Sequence, residues 1–100
     1  ADRRYEDALA RERGELAAVL AELRALGGRI AVTRDEILPL ARAASVSALQ
    51  RYRVGAVEFT AVLDTQDGLF RAQLELARLI ADYGTARANL AARVGEEWYR

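Results

Sequence analysis

The sequence predicts an all-α fold: a long antiparallel coiled-coil hairpin that takes in residues 1–100 as a single unit. Three observations carry this prediction. Apolar residues recur every seven positions in two separate stretches, the signature of helices that pack along a seam. The composition, with 21 alanines, 14 leucines, 15 arginines and no lysine, is that of long helices. A single strong stop signal, centred on Gly55, separates the two stretches.

The first stretch runs through Leu9, Leu16, Leu23, Ile30, Ile37 and Ala44. Val19, Leu26 and Leu40 sit three residues after members of that row and widen it into an a/d stripe. The d-like row is imperfect, because Glu12, Thr33 and Ser47 also fall on it. Gly27 and Gly28 each cost a helix about 1 kcal/mol against alanine. Pro39 removes a backbone donor and bends a continuing helix. Read as stops, they would give four short helices. The stripe holds its phase from Leu23 to Ile30 and from Ile37 to Ala44, which predicts one long helix, bent rather than broken.

The chain reverses at Tyr52-Arg53-Val54-Gly55-Ala56. Gly55 can take the positive φ of a helix C-terminal cap. Arg51 and Arg53 complement the helix dipole in the last turn. Glu58 carries the favourable charge for the first turn of the next helix. The run Val57, Phe59, Thr60, Val62 would suit a strand, but no partner strand exists, so it reads as a helix start. The arms are therefore about residues 2–53 and 57–97, with the tip at 53–57.

The second stretch is Val62, Leu69, Leu76, Tyr83 and Leu90. Ile80 and Val94 lie four residues after members of that row, as do Gln66 and Gln73, so the expected seam is partly polar. A parallel row, Leu63, Phe70 and Ala77, makes this apolar face wider than one seam needs. The sequences Asp7-Arg11-Glu15 and Asp67-Arg71-Glu75 form i,i+4 charge ladders on solvated faces. Two helices enclose no deep core, and small residues on several faces of the first arm invite further helices to pack.

Composition also excludes. With no cysteine and no histidine there is no thiol chemistry, zinc-finger site or Ser-His-Asp triad. Neighbouring acids such as Asp35-Glu36 point in different directions on a helix and share no nucleophile or base, so no enzyme, cofactor or metal site is expected. The formal net charge of zero argues against general nucleic-acid binding. No apolar run approaches the roughly 20 residues that span a bilayer.

The segment from Tyr52 to Gln66 resembles the second periplasmic hairpin of TolC-like outer-membrane efflux proteins. That family carries a Tyr-x-x-Gly tip followed by a Val-Leu-Asp-Ala-Gln-like run. Tyr52, Gly55, Val62, Leu63, Asp64 and Gln66 match it, with Thr65 in place of the small alanine. Upstream, Ile37-Leu38-Pro39-Leu40-Ala41 is similar to the Ile-Leu-Pro-x-Ala run that precedes this tip. Leu69, Ala72, Leu76, Ala77, Tyr83, Ala86, Leu90 and Gly95 follow the family rhythm downstream.

The resemblance implies a homotrimer whose helices form a periplasmic α-barrel under an outer-membrane β-barrel. It implies docking to a periplasmic membrane-fusion adaptor and export driven by an inner-membrane pump. It reads this chain as one segment of a longer protein. Val54, Gly55 and Ala56 would form the adaptor-docking tip, and Arg42, Arg51 and Arg53 a basic approach to it. Tyr52 and Arg53 would belong to the entrance gate. The sequence departs from the best-known pattern at Val57, where an arginine is usual. Asp64, nine residues after Gly55 and about 13 Å up the second arm, would contribute to a carboxylate ring at the tunnel constriction. Two other readings stand beside this one. An adaptor-type hairpin would carry an Arg-Leu-Ser-type motif, which is not found around Gly55. A general coiled-coil interaction module would show no specificity at its tip.

Overall fold

A computed structural model describes residues 2–98, with side chains to residue 95. It is an extended helical hairpin, 78 × 22 × 18 Å, with no strand among the described residues. Helix α1 spans Asp2–Val32, a π-helical turn follows at Thr33–Ile37, and α2 spans Leu38–Arg53. Together they make one unbroken first arm. Helix α3, Phe59–Trp98, is the second arm. Gly27 and Gly28 lie inside α1 without interrupting it. No described helix is long and apolar enough to cross a membrane.

The second arm starts at Phe59, two residues later than the expected 57. The Ala61 amide donates to the Glu58 carbonyl at 3.0 Å, so Glu58 stands just before the first helical residue rather than within the first turn. Residues 54–58 form the reversal.

The expected seam of the first arm holds only as far as Thr33. Leu9, Leu16, Val19, Leu23, Leu26, Ile30 and Thr33 all lose surface to α3. Beyond it, Ile37, Leu40 and Ala44 are exposed, and Leu38, Ala41, Ser45 and Ala48 face inward instead. The inward row has advanced by one residue. The cause is the π turn, in which the Leu38 amide donates to the carbonyl of Thr33, five residues back instead of four. One extra residue is absorbed, and every later side chain turns by about 100°. The turn lies where it relieves Pro39, whose ring would crowd the carbonyl of Asp35 in a regular helix. The expectation of an unshifted stripe across the proline is thus corrected.

On α3 the row Val62, Leu69, Leu76, Tyr83, Leu90 faces the first arm as expected. Its companion row is Thr65, Ala72, Leu79 and Ala86, three residues on rather than four. Ile80 and Val94 are exposed, and so are Gln66 and Gln73. Both sides of the α3 row carry apolar residues, so only the position of the first arm decides which side is covered.

The best-buried cluster is Leu26, Leu79 and Ala86, with Leu23, Ile30 and Tyr83 packed around it. Leu79 is its centre, at 2% exposure. The charge ladders hold in part. Asp67 pairs with Arg71 at 3.0 Å along α3. Glu75 reaches across to Arg29 at 3.0 Å, and Glu15 to Arg93 at 2.9 Å. The cross-arm partner offers a second cation at the same height, and exposed pairs differ too little in energy for helix spacing to choose. Asp35 pairs with its neighbour Arg34 through two hydrogen bonds, which hold its carboxyl below the ordinary aspartate range.

Candidate functional site: the hairpin tip

The tip is built by the end of α2. The Gly55 amide donates to the Tyr52 carbonyl at 3.0 Å, and the Ala56 amide to the Arg51 carbonyl at 2.8 Å. These paired bonds make a Schellman cap, which satisfies two of the last helical carbonyls. Gly55 has φ of 75°, the left-handed conformation the motif needs and glycine adopts without strain. An added Cβ there would meet no atom within 4 Å. The backbone, not crowding, therefore requires glycine.

The reversal presents Val54, which is 80% exposed, at the end of the molecule. Gly55 and Ala56 are exposed beside it. The expected docking residues thus form one contiguous surface. Tyr52 is neither in the seam nor free. Its ring packs on Phe59 across the turn, with centroids 5.3 Å apart and planes tilted by 57°. Such tilted pairs add about 0.5–1.5 kcal/mol beyond the area they bury. This clasp was not read from the sequence, although two aromatic residues bracketing a reversal were a usable signal. Arg53 and Arg51 are exposed.

On one side of the tip the arms leave a groove of about 300 Å³ between Ala44, Ser47 and Ala48 of α2 and Ala61 and Thr65 of α3. Arg51 and Val57 close its tip end. Small side chains open the groove, because alanine and serine cannot fill the space between two helices. Thr65 spends its hydroxyl hydrogen on the Val62 carbonyl at 2.8 Å. Gln66 donates to the Ser45 hydroxyl from the edge of the seam, which ties α2 to α3 at this level.

Asp64 is exposed on α3. Asp64 lies five residues into α3, about 8 Å along the helix from Phe59. Within the hairpin it lies neither in the seam nor beside the exposed Val54, Gly55 and Ala56. No cluster of three or more His, Cys, Asp or Glu side chains is gathered among the described residues.

The tip is thus a rigidly capped, glycine-centred reversal with apolar residues in solvent and arginines behind it. The site offers a surface for a partner. Comparison of the chain with protein-family models, with curated proteins and with solved structures finds no match.

Proposed function

We propose that this hairpin is a periplasmic tunnel segment of a TolC-like outer-membrane efflux channel, and that its tip docks to a membrane-fusion adaptor. The observation that carries the reading is the tip itself. An exposed Val54-Gly55-Ala56 surface sits at the end of a 78 Å hairpin, held by a cap that only the glycine makes strain-free. This is the element on which the family resemblance is densest.

A second observation supports an assembly. Phe59, Leu63, Phe70 and Leu74 are all more than a third exposed along α3. An apolar row of this length on a helix already paired on another side suits a place between further helices. In the proposed arrangement three protomers supply those helices, an inner-membrane pump supplies the drive, and the chain performs no enzymatic step. The uncovered row alone would equally serve a general coiled-coil interaction module, and a variant at the tip distinguishes the two readings.

The test is export in the complete protein. Gly55→Leu places a side chain on a left-handed backbone and in the docking surface. It is expected to leave helix content nearly intact and to abolish efflux, measured by substrate accumulation in cells. Unchanged efflux would remove the docking role and leave the general interaction module.

Asp64 belongs to the same proposal. Threefold repetition would bring three carboxylates toward one axis, and Asp64→Asn is expected to weaken cation block of single-channel conductance. Asp67→Asn is expected to do much less, since Asp67 is already paired with Arg71. Equal effects of the two substitutions would refute a ring at Asp64.

A further inference from the structure

The wide turn ahead of Pro39 does more than relieve the proline: it selects between two seams that the same sequence encodes. In the observed arrangement Leu38, Ala41, Ser45 and Ala48 face α3. In a helix without the extra residue, the same places fall to Ile37, Leu40, Ala44 and Ser47. Both sets have the spacing of a seam. The set left outside is the more apolar at the proline end, where Ile37 is 48% and Leu40 is 71% exposed.

The two arrangements balance. The observed one keeps the Gln66–Ser45 hydrogen bond and places Tyr52 against Phe59. The other would exchange Ala41 for Leu40 and Ser45 for Ala44, gaining apolar burial near the proline. It would lose Ala48 to Ser47 and Tyr52 to Arg51 toward the tip. Small side chains line this half of the seam, so little interdigitation resists the exchange. The groove beside Ala44 and Ala48 leaves room on the side toward which Ala44 would turn.

We propose that Thr33–Ile37 is a register switch. When its π turn tightens to an α turn, α2 advances by one residue as a screw, about 100° of rotation and about 1.5 Å toward the tip. Ile37, Leu40 and Ala44 then replace Leu38, Ala41 and Ser45 against α3. Pro39 holds the balance toward the observed register, because its ring opposes the tight turn. The inference rests on the first arm's own geometry and does not depend on the efflux reading.

The chain has no cysteine, so engineered pairs report the register cleanly. Ser45→Cys with Gln66→Cys reads the observed seam. Ala44→Cys with Gln66→Cys reads the alternative. Ala43→Cys with Gln66→Cys is a control that neither register brings together. The three pairs are oxidised in the complete protein and their cross-linking rates compared. The same is done with Pro39→Ala, and with Pro39→Ala plus deletion of Asp35. That deletion shortens the Ile30-to-Leu38 spacing to seven and locks the observed seam in a regular helix.

In the natural background the 45–66 pair is expected to close fastest, and the 44–66 pair measurably faster than the control. Pro39→Ala is expected to raise the ratio of 44–66 to 45–66 closure about fivefold or more, since the opposing ring is gone. The deletion is expected to return the 44–66 rate to the control level while the 45–66 pair still closes. The switch is overturned if the 44–66 pair closes no faster than the control in the natural background. It is also overturned if the closure ratio is the same in Pro39→Ala as in the deletion variant. Should Pro39→Ala fail to fold, the natural background decides alone.

Discussion

The two halves of the hairpin are held in different ways. Far from the tip, α1 meets α3 through Leu23, Leu26, Ile30, Leu79 and Tyr83, a seam of large side chains backed by Arg29–Glu75 and Arg93–Glu15 pairs across the arms. Near the tip, α2 meets α3 through Ala41, Ser45, Ala48, Thr65 and Ala72, with Leu38 and Val62 as the only large buried side chains among the described residues there and one side-chain hydrogen bond between the arms. Apolar burial contributes about 25 cal/mol per Å². The stability of this fold is therefore concentrated away from the tip. The tip half is held by its backbone cap, by the Tyr52–Phe59 clasp and by the Gln66–Ser45 hydrogen bond. Regions that rearrange or dock are drawn from the less stable part of a structure.

The contrast is quantitative. Leu79→Ala removes the centre of the best-packed cluster and is expected to cost about 2–3 kcal/mol. Val62→Ala, its counterpart near the tip, is expected to cost about 1 kcal/mol, because less volume is lost and alanine restores helix propensity. Urea denaturation of the two variants measures the difference. Equal losses would mean that the halves are held alike. A smaller effect, of opposite sign, sharpens the comparison. Gly28 is exposed inside α1, and a Cβ added there meets nothing within 4 Å. Gly28→Ala is expected to stabilise by about 0.5–1 kcal/mol. Amide exchange should then slow in α1 and its partner stretch of α3 while rates near Ser45 stay unchanged. Slowing that spreads equally to the tip would show the hairpin opening as one unit.

Much of this was legible in the sequence. The row Leu9 to Ile30, the row Val62 to Leu90, and the stop at Gly55 gave the helices, their pairing and the reversal, because a seven-residue spacing has one simple structural meaning. The phase beyond Pro39 was not legible. Ile37 and Leu38 are both apolar, as are Leu40 and Ala41, so either seam fits the pattern, and nothing local distinguishes an extra residue held in a wide turn. The same ambiguity hid the companion row on α3. Ala72 and Leu79 compete with Ile80 on its two sides, and the partner's position, a tertiary fact, decides between them. At the tip, glycine announced the cap, whereas the Tyr52–Phe59 contact depended on where α3 begins. Placing that start two residues early put Phe59 inside the helix rather than at its mouth.

The wide turn also has a mechanical consequence. It lies roughly 22 Å of helix rise from the tip, and the seam between is the loosely packed one. Bending a helix costs least where its hydrogen-bond ladder is already interrupted, as it is at a π turn followed by a proline. A flexure of about 10° at such a point would sweep Gly55 sideways by about 4 Å, from the arm length that helix rise gives. The Leu-rich half behind the turn would stay still, as a fixed support does under a lever. An 11.0 kDa hairpin thereby carries its own gearing, in which a movement smaller than a side chain at Thr33 becomes one larger than a hydrogen bond at Gly55.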